Sequence, residues 1–184
     1  INDQLNTMDG RYVPTVLNVP KYETTDAQGL TQEKTPVFND GDSRKTPANP
    51  TAANPVKFVK ADGTMTDDTS LPALSNGQQV GRFEVQPATG KITFKPNKNF
   101  VGTVDPVSVQ MIDGKGIPHQ AVYQPKVTPV RPSAQGASSE GIQGAVQTGQ
   151  LTFNPGNNRV PIDSKKLPTF DNGSQPKTVA GLGT

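Results

Sequence analysis

An internal repeat is the feature that most constrains what this chain can fold into. Residues 1–19 and residues 112–130 align without a gap at an offset of 111 residues. Five positions are identical: Ile1 and Ile112, Tyr12 and Tyr123, Pro14 and Pro125, Val16 and Val127, Val19 and Val130. A self-match at a fixed period indicates tandem units. We interpret the shared core, Y-x-P-x-V-x-x-V, as the last strand of a unit followed by a proline-containing exit.

The repeat sets the predicted domain organisation. We predict three parts: residues 1–19 as the closing strand of a preceding repeat, residues 20–131 as one complete repeat, and residues 132–184 as the first half of the next. A second pairing supports this division, because residues 151–154 match residues 36–39 with their phenylalanines aligned. No signal-peptide pattern is present, so we expect an internal or mature segment.

Composition favours strands over helices. The 184 residues include 18 Val and 20 Thr, whose β-branched side chains suit a pleated sheet better than a helix. The chain also has 18 Gly and 18 Pro, which interrupt it too often for long helices. We therefore predict an all-β fold of antiparallel β-sandwich repeats in tandem, with long loops that contain proline and glycine.

Charge and residue types exclude several functional classes. The net charge is +2 with the charges well mixed, so nothing favours nucleic acid or an anionic membrane as a partner. The chain has no cysteine, which excludes disulfides, thiol catalysis and zinc–cysteine sites. No apolar run approaches the roughly 18 residues needed to span a membrane, so we expect no membrane insertion.

The clearest local prediction is a β-hairpin. Residues 80–86 (VGRFEVQ) and 91–95 (KITFK) alternate apolar and polar residues on either side of a four-residue turn that ends in glycine. This alternation places four side chains in the core: Phe83, Val85, Ile92 and Phe94. We also predict strands at residues 11–19, 56–60, 107–112 and 120–127. We predict polar connections at residues 20–35, 64–77 and 131–150, and an extended proline-rich crossing at residues 45–55.

Several motifs resemble one family. The stretches are GKITFKPNKNFVG (residues 90–102), VSVQ (107–110), AVYQPKVTPV (121–130), ASSEGIQG (137–144) and TFNPG (152–156). Together they are similar to the CshA-type fibril repeats of Gram-positive cell-wall-anchored surface adhesins. The resemblance implies a stalk in which many repeats build a surface fibril. It also implies that binding activity lies in a different region, and it supplies no catalytic residues.

Candidate chemical sites are few. Several aspartates lie in turn sequences: Asp40, Asp42, Asp62, Asp67, Asp68 and Asp113. We interpret them as turn-forming residues. Calcium binding is the alternative, with Asp67 and Asp68 as the best candidates. The single histidine, His119, has no catalytic partners in a recognisable motif. An intramolecular Lys–Asn amide cross-link is a further hypothesis, with Lys57, Lys91 and Lys95 on predicted strands. We predict no catalytic, cofactor-binding or metal site.

We therefore expect a non-enzymatic structural stalk repeat of a bacterial surface adhesin, extracellular and anchored to the cell wall. Its expected partners are neighbouring repeats of the same chain or fibre, and host or bacterial surface ligands are a further possibility. Three alternatives stay open. One is a binding module for host matrix protein or glycan that uses residues 45–55 and 64–77. Another is an accessory β-domain of a secreted hydrolase. In the last, residues 133–184 pair with residues 1–19 of a neighbouring chain in a strand-exchanging fibre.

Overall fold

A computed structural model describes residues 19–40, 42–162 and 165, and the described residues contain strands and loops but no helix. The strands are β1 (Lys21–Ala27), β2 (Gln32–Lys34), β3 (Lys57–Val59), β4 (Met65–Thr66), β5 (Ser70–Ser75), β6 (Gln78–Gln86), β7 (Lys91–Pro96), β8 (Gly102–Thr103), β9 (Val107–Ile112), β10 (Pro118–Thr128), β11 (Ser133–Gln135) and β12 (Thr152–Asn154). The all-β prediction is confirmed. Within these ranges no helix is long and apolar enough to cross a membrane.

The strands form three sheets. The first has the order β1-β10-β9-β3-β4, with β8 also paired to β10. The second has the order β2-β7-β6-β5, and the third is the hairpin-like pair β11-β12. The predicted hairpin is confirmed as β6 and β7, in which Phe83 lies opposite Phe94 and Val85 lies opposite Ile92.

One strand pair departs from the antiparallel expectation. β1 runs parallel to β10 over seven residue pairs, from Lys21 opposite Val122 to Ala27 opposite Thr128. Thus β1 starts level with the middle of β10, and both strands end together. The chain therefore enters this repeat at one end of the pair and leaves it at the other.

The first two sheets contribute to one hydrophobic core. The ring of Phe83 lies 5.4 Å from that of Phe94 in its own sheet and 6.1 Å from that of Tyr123 in the other sheet. All four side chains predicted for the core from the hairpin are buried, with exposures of 0–6%. Tyr123, Pro125 and Val127, three of the residues that define the internal repeat, are also buried. The repeat motif therefore marks core positions of β10. The sandwich geometry and the tandem arrangement stay predictions.

Three predicted connections are wrong. Residues 20–35 contain β1 and β2, residues 64–77 contain β4 and β5, and residues 131–150 contain β11. β1, β2 and β5 lie at sheet edges. In β1 and β2, which have few apolar side chains, backbone hydrogen bonds to one neighbouring strand define the strand. The residues in β1, for example, alternate between exposed and half-buried, and Ala27 at its end is the buried one.

Other predictions lie outside the described residues. The strand at residues 11–19 and the closing-strand role of residues 1–19 are in this group, because the structure describes only residue 19 of that range. The strand-exchange hypothesis depends on the same residues. The predicted domain boundaries also stay predictions. Residues 45–55 contain no strand and are exposed over much of their length. They bend at residues 52–54, where the backbone N–H of Thr51 donates to the carbonyl of Asn54 at 3.2 Å, so this part of the predicted extended crossing is not extended.

Candidate functional site

His119 joins the loop after Phe38 to the β9–β10 turn. Its Nδ1 lies 3.0 Å from Oδ1 of Asp40, and its Nε2 lies 3.3 Å from Oδ2 of Asp113. The three side chains are largely buried, and Lys45 adds an ion pair to Asp40 at 3.1 Å. Carboxylates only accept hydrogen bonds, so both contacts of the ring are donated together only by the doubly protonated imidazolium. We refer to these contacts as the His119 clasp, because they tie the loop after Phe38 to the β9–β10 turn.

The charges around the clasp favour ionised carboxylates. Burial pushes the pKa of Asp40 upward, but hydrogen bonds from Lys45 and His119 outweigh it and hold the pKa below its usual value. The backbone N–H of Ile117 lowers the pKa of Asp113, and further hydrogen bonds from Lys115 and His119 act in the same direction. Both aspartates therefore stay charged until the pH falls well below neutrality.

The other acidic residues serve turns and ion pairs. Asp62 accepts hydrogen bonds from the backbone N–H and the hydroxyl of Thr64, at 2.9 and 2.6 Å. Asp67 pairs with Lys57 at 2.6 Å, and Asp68 accepts from the Thr66 hydroxyl at 2.8 Å. Asp67 and Asp68, the best calcium candidates from the sequence, thus bind different partners. Among the residues described by the structure, no group of three or more histidine or acidic side chains is placed to hold a metal ion; in the His119 clasp the two aspartates contact different ring nitrogens.

The lysines proposed for an amide cross-link form ion pairs instead. Lys91 lies 3.0 Å from Glu33, and Lys95 lies 2.7 Å from Glu84. The sequence alternation placed both lysines away from the core, and both are exposed as expected. Each amine faces a carboxylate rather than an asparagine, which is the partner that the cross-link needs.

The loops proposed for ligand binding form two shallow cavities. One cavity, of about 340 Å³, lies between residues 46–54 and the β9–β10 turn, next to His119. A second, of about 220 Å³, lies between residues 53–57, Met65 and Ile112. No aromatic side chain lines either cavity, whereas sugar-binding sites commonly use an aromatic platform. The binding-module alternative therefore gains no stacking surface from these loops.

A bidentate ion pair joins the two ends of the described chain. The two terminal guanidinium nitrogens of Arg159, Nη1 and Nη2, both contact the carboxylate of Asp26, and the Nη1–Oδ2 distance is 3.0 Å. Asp26 lies near the end of β1, opposite Val127, where β10 leaves the first sheet. The Arg159 hydrogen bond holds the pKa of Asp26 below its usual value. Sequence reasoning missed this contact because 133 residues separate its partners.

The turn at residues 156–159, which contains Arg159, packs against the connector after β10, at Arg131 and Pro132. Gly156 has a positive φ of 75°, and a Cβ placed there would overlap the carbonyl of Arg131. Only glycine fits so close an approach of two backbones. The segment around residues 156–159 therefore touches the first repeat region at two points, the connector and Asp26.

Comparison with known families finds two consecutive matches along the chain. Residues 14–127 match the family described as the surface adhesin CshA repetitive domain, and residues 129–184 match it again. The chain belongs to this family. The family resemblance stated from the sequence is confirmed, and the chain is a repeat region of a surface adhesin, with the surface location that this implies. Members of this repeat family are generally not enzymes.

Other comparisons add little. A search of curated proteins found no match to this sequence. A solved structure, the crystal structure of CopC from Methylosinus trichosporium OB3b, aligns with 58% of this chain and 84% of its own at 11% identity and a TM-score of 0.26. At that score the likeness supports no argument about this CshA-type repeat region.

Proposed function

We propose that this chain is part of the non-enzymatic stalk of a fibrillar adhesin, which projects an adhesive region from the cell wall of a Gram-positive bacterium. The observation that supports this most is the occurrence of two consecutive family matches in one chain, separated by a single residue. In a surface adhesin built from successive copies of one repeat, the length of the molecule increases with the number of copies.

The arrangement of the first repeat fits a linear array. Because β1 and β10 run parallel, the chain enters and leaves at opposite ends, so consecutive repeats extend in one direction. The exit, Val130-Arg131-Pro132, contains a proline, which fixes φ and pushes the preceding residue toward an extended conformation. These connectors limit bending between repeats.

Scattering from proteins with increasing numbers of consecutive repeats tests this function. The proposal predicts that the maximum dimension grows linearly with repeat number while the cross-section stays constant. Compact particles, with a maximum dimension that grows only slowly with repeat number, would contradict it.

A binding assay separates the stalk from the binding-module alternative. The stalk role predicts that the repeat region shows no specific retention on immobilised matrix proteins or on a glycan array. Saturable binding to one matrix protein or one glycan class would instead support the alternative. Substitution of Asn49 and Asn54, which line the larger cavity, would then show whether that cavity is the site.

A further inference from the structure

A seven-residue sequence recurs at the same distance from the start of each matched region, residues 14–127 and 129–184. Residues 38–44 read FNDGDSR, and residues 153–159 read FNPGNNR. The two share phenylalanine, asparagine, glycine and arginine at an offset of 115 residues. The shared pattern is F-N-x-G-x-x-R, and we refer to both copies as the arginine turn. The recurrence suggests that the arginine has a role in every repeat.

The two copies share the hydrogen bonds around the arginine. The backbone N–H of Arg44 donates to Oδ1 of Asp42 at 3.0 Å, and that of Arg159 donates to Oδ1 of Asn157 at 2.9 Å. In each copy the next backbone N–H donates to the carbonyl of the same Asp or Asn, at 3.0 and 3.1 Å. The residues before this segment differ, because Asp40 has a φ of 54° and the corresponding Pro155 has a φ that its ring fixes at a negative value. The shared pattern is therefore limited to residues 42–45 and 157–160, which include the arginines.

The two arginines differ in what they contact. The Arg44 side chain is 89% exposed and, among the described residues, pairs with Asp42 of its own turn, through Nε at 3.0 Å and Nη2 at 3.2 Å. The second turn has the uncharged Asn157 at the corresponding position. Arg159 reaches past its own turn to Asp26 of the preceding repeat region, which leaves it 63% exposed. The arginine of this sequence is thus seen in two settings: Arg44 contacts its own turn, and Arg159 contacts the preceding repeat region.

The first repeat carries the two halves of this contact at opposite ends. The His119 clasp ties Asp40, inside the first arginine turn, to the β9–β10 turn at the entry end. Asp26 lies at the exit end, where β1 and β10 finish together. A contact between unlike ends of similar units is heterologous, and such a contact can recur along a linear array.

We propose that the arginine turn is the docking element between consecutive repeats: its arginine binds the aspartate at the exit end of the preceding repeat, and in the second copy Gly156 seats the turn against the connector. The partner of this surface is another repeat of the same kind. In a tandem array Arg44 makes the contact with the repeat before it that Arg159 makes with Asp26. The docking contact deepens the proposed stalk function, because it fixes the angle between neighbours that the proline connector only restricts.

Distance measurements by pulsed EPR test the contact in the full chain. The absence of native cysteine allows two specific spin labels, introduced as Lys98→Cys in the first repeat and Thr148→Cys in the second, both at exposed positions. We expect one narrow distance distribution in the otherwise unchanged chain. Arg159→Ala or Asp26→Asn should broaden it at least about twofold, because small interfaces leave neighbouring domains free to move. Salt at about 1 M, where charges are screened within roughly 3 Å, should have a similar effect.

Matched variants give the controls. Arg44→Ala removes an arginine from the same turn type at the other end, and it should leave the distribution unchanged. The exchange variant Asp26→Arg with Arg159→Asp restores opposite charges and should narrow the distribution again. The proposal is overturned if Arg159→Ala leaves the width unchanged, or if Arg44→Ala broadens it equally.

An NMR titration of the Asp26 carboxyl gives a second readout. Its pKa should rise toward the ordinary aspartate value in Arg159→Ala and stay low in Arg44→Ala. Equal values in all three proteins would overturn the docking contact. The failure of this contact is distinguishable from that of the stalk. Rod-like scattering together with an unchanged Arg159→Ala distribution refutes the contact alone. If scattering shows compact particles but Arg159→Ala still broadens the distance distribution, the stalk alone is refuted.

Discussion

Replacement of Tyr123 by phenylalanine should destabilise the protein through a hydrogen-bond chain that joins the two large sheets. The Tyr123 hydroxyl lies 2.7 Å from Oγ1 of Thr24 on β1, and the Thr24 hydroxyl donates to Oε1 of Gln32 on β2 at 2.5 Å. Gln32, itself buried, donates through Nε2 to the carbonyl of Lys126 at 2.9 Å. The chain thus returns to β10, the strand on which it starts.

The magnitude follows from burial. Tyr123 has no exposed surface, and burial raises the pKa of its hydroxyl, so it stays neutral over the ordinary pH range. Tyr123→Phe keeps the ring and removes the donor, which should cost about 1–2 kcal/mol of unfolding free energy since water cannot replace it. With an m-value of about 2 kcal/mol/M, the urea midpoint should fall by roughly 0.5–1 M.

Tyr22 supplies the matched control. The Tyr22 hydroxyl donates to the carbonyl of Val37 and accepts from its backbone N–H, both at 3.1 Å. Unlike the contact of Tyr123, these two hydrogen bonds are exposed to solvent. Tyr22→Phe should therefore cost less than about 0.5 kcal/mol. A double-mutant cycle of Tyr123→Phe with Thr24→Val should give a coupling energy of about 0.5–1.5 kcal/mol. Equal losses in the two tyrosine variants, or strict additivity in the cycle, would refute the reasoning.

Two further perturbations follow from the structure. Gly81→Ala would place a Cβ against the carbonyl of Lys95 on the neighbouring strand, and it should lower the free energy of unfolding in urea by about 1–3 kcal/mol. Gly136 has open space around it, so Gly136→Ala should be neutral. Equal effects of the two variants would contradict this packing. Asp40 and Asp113 have lowered folded-state pKa values, so the stability they contribute is present above their ordinary values and is lost as the pH falls through the folded values. Unfolding measured from pH 7 down to about pH 3 should therefore show an acid-induced loss that is smaller in Asp40→Asn; an identical slope in both proteins would argue against the clasp.

Sequence reasoning succeeded where apolar side chains alternate. Phe83 and Val85 in β6, and Ile92 and Phe94 in β7, alternate with less buried polar residues, so a period of two marks both strands and the side that faces the core. Val80, which is also buried, lies outside this alternation. The same argument applies to β9, where Val107, Val109 and Met111 are buried. Burial of one face of a strand leaves a clear pattern in the sequence.

It failed where backbone pairing alone defines the strand. β1 reads KYETTDA, with Ala27 its only buried residue, so its parallel pairing with β10 leaves no hydrophobic pattern. β5 contains Pro72, which sequence reasoning counts against a strand, but an edge position tolerates the missing donor. The docking contact was missed for another reason: Asp26 and Arg159 belong to different repeats. Comparison of the two arginine turns, rather than of single residues, was the signal that could have found it.

The parallel pairing of β1 and β10 also determines how an array would respond to tension. A pull along the chain enters the repeat at the start of β1 and leaves it at the end of β10, which are opposite ends of the paired segment. The two strands must then slide past each other along roughly 20 Å. The hydrogen bonds across their seven residue pairs are loaded in shear, all at once, rather than opened one after another from an end. The strand with the weakest hydrophobic signal in the sequence is therefore the one that would bear the load.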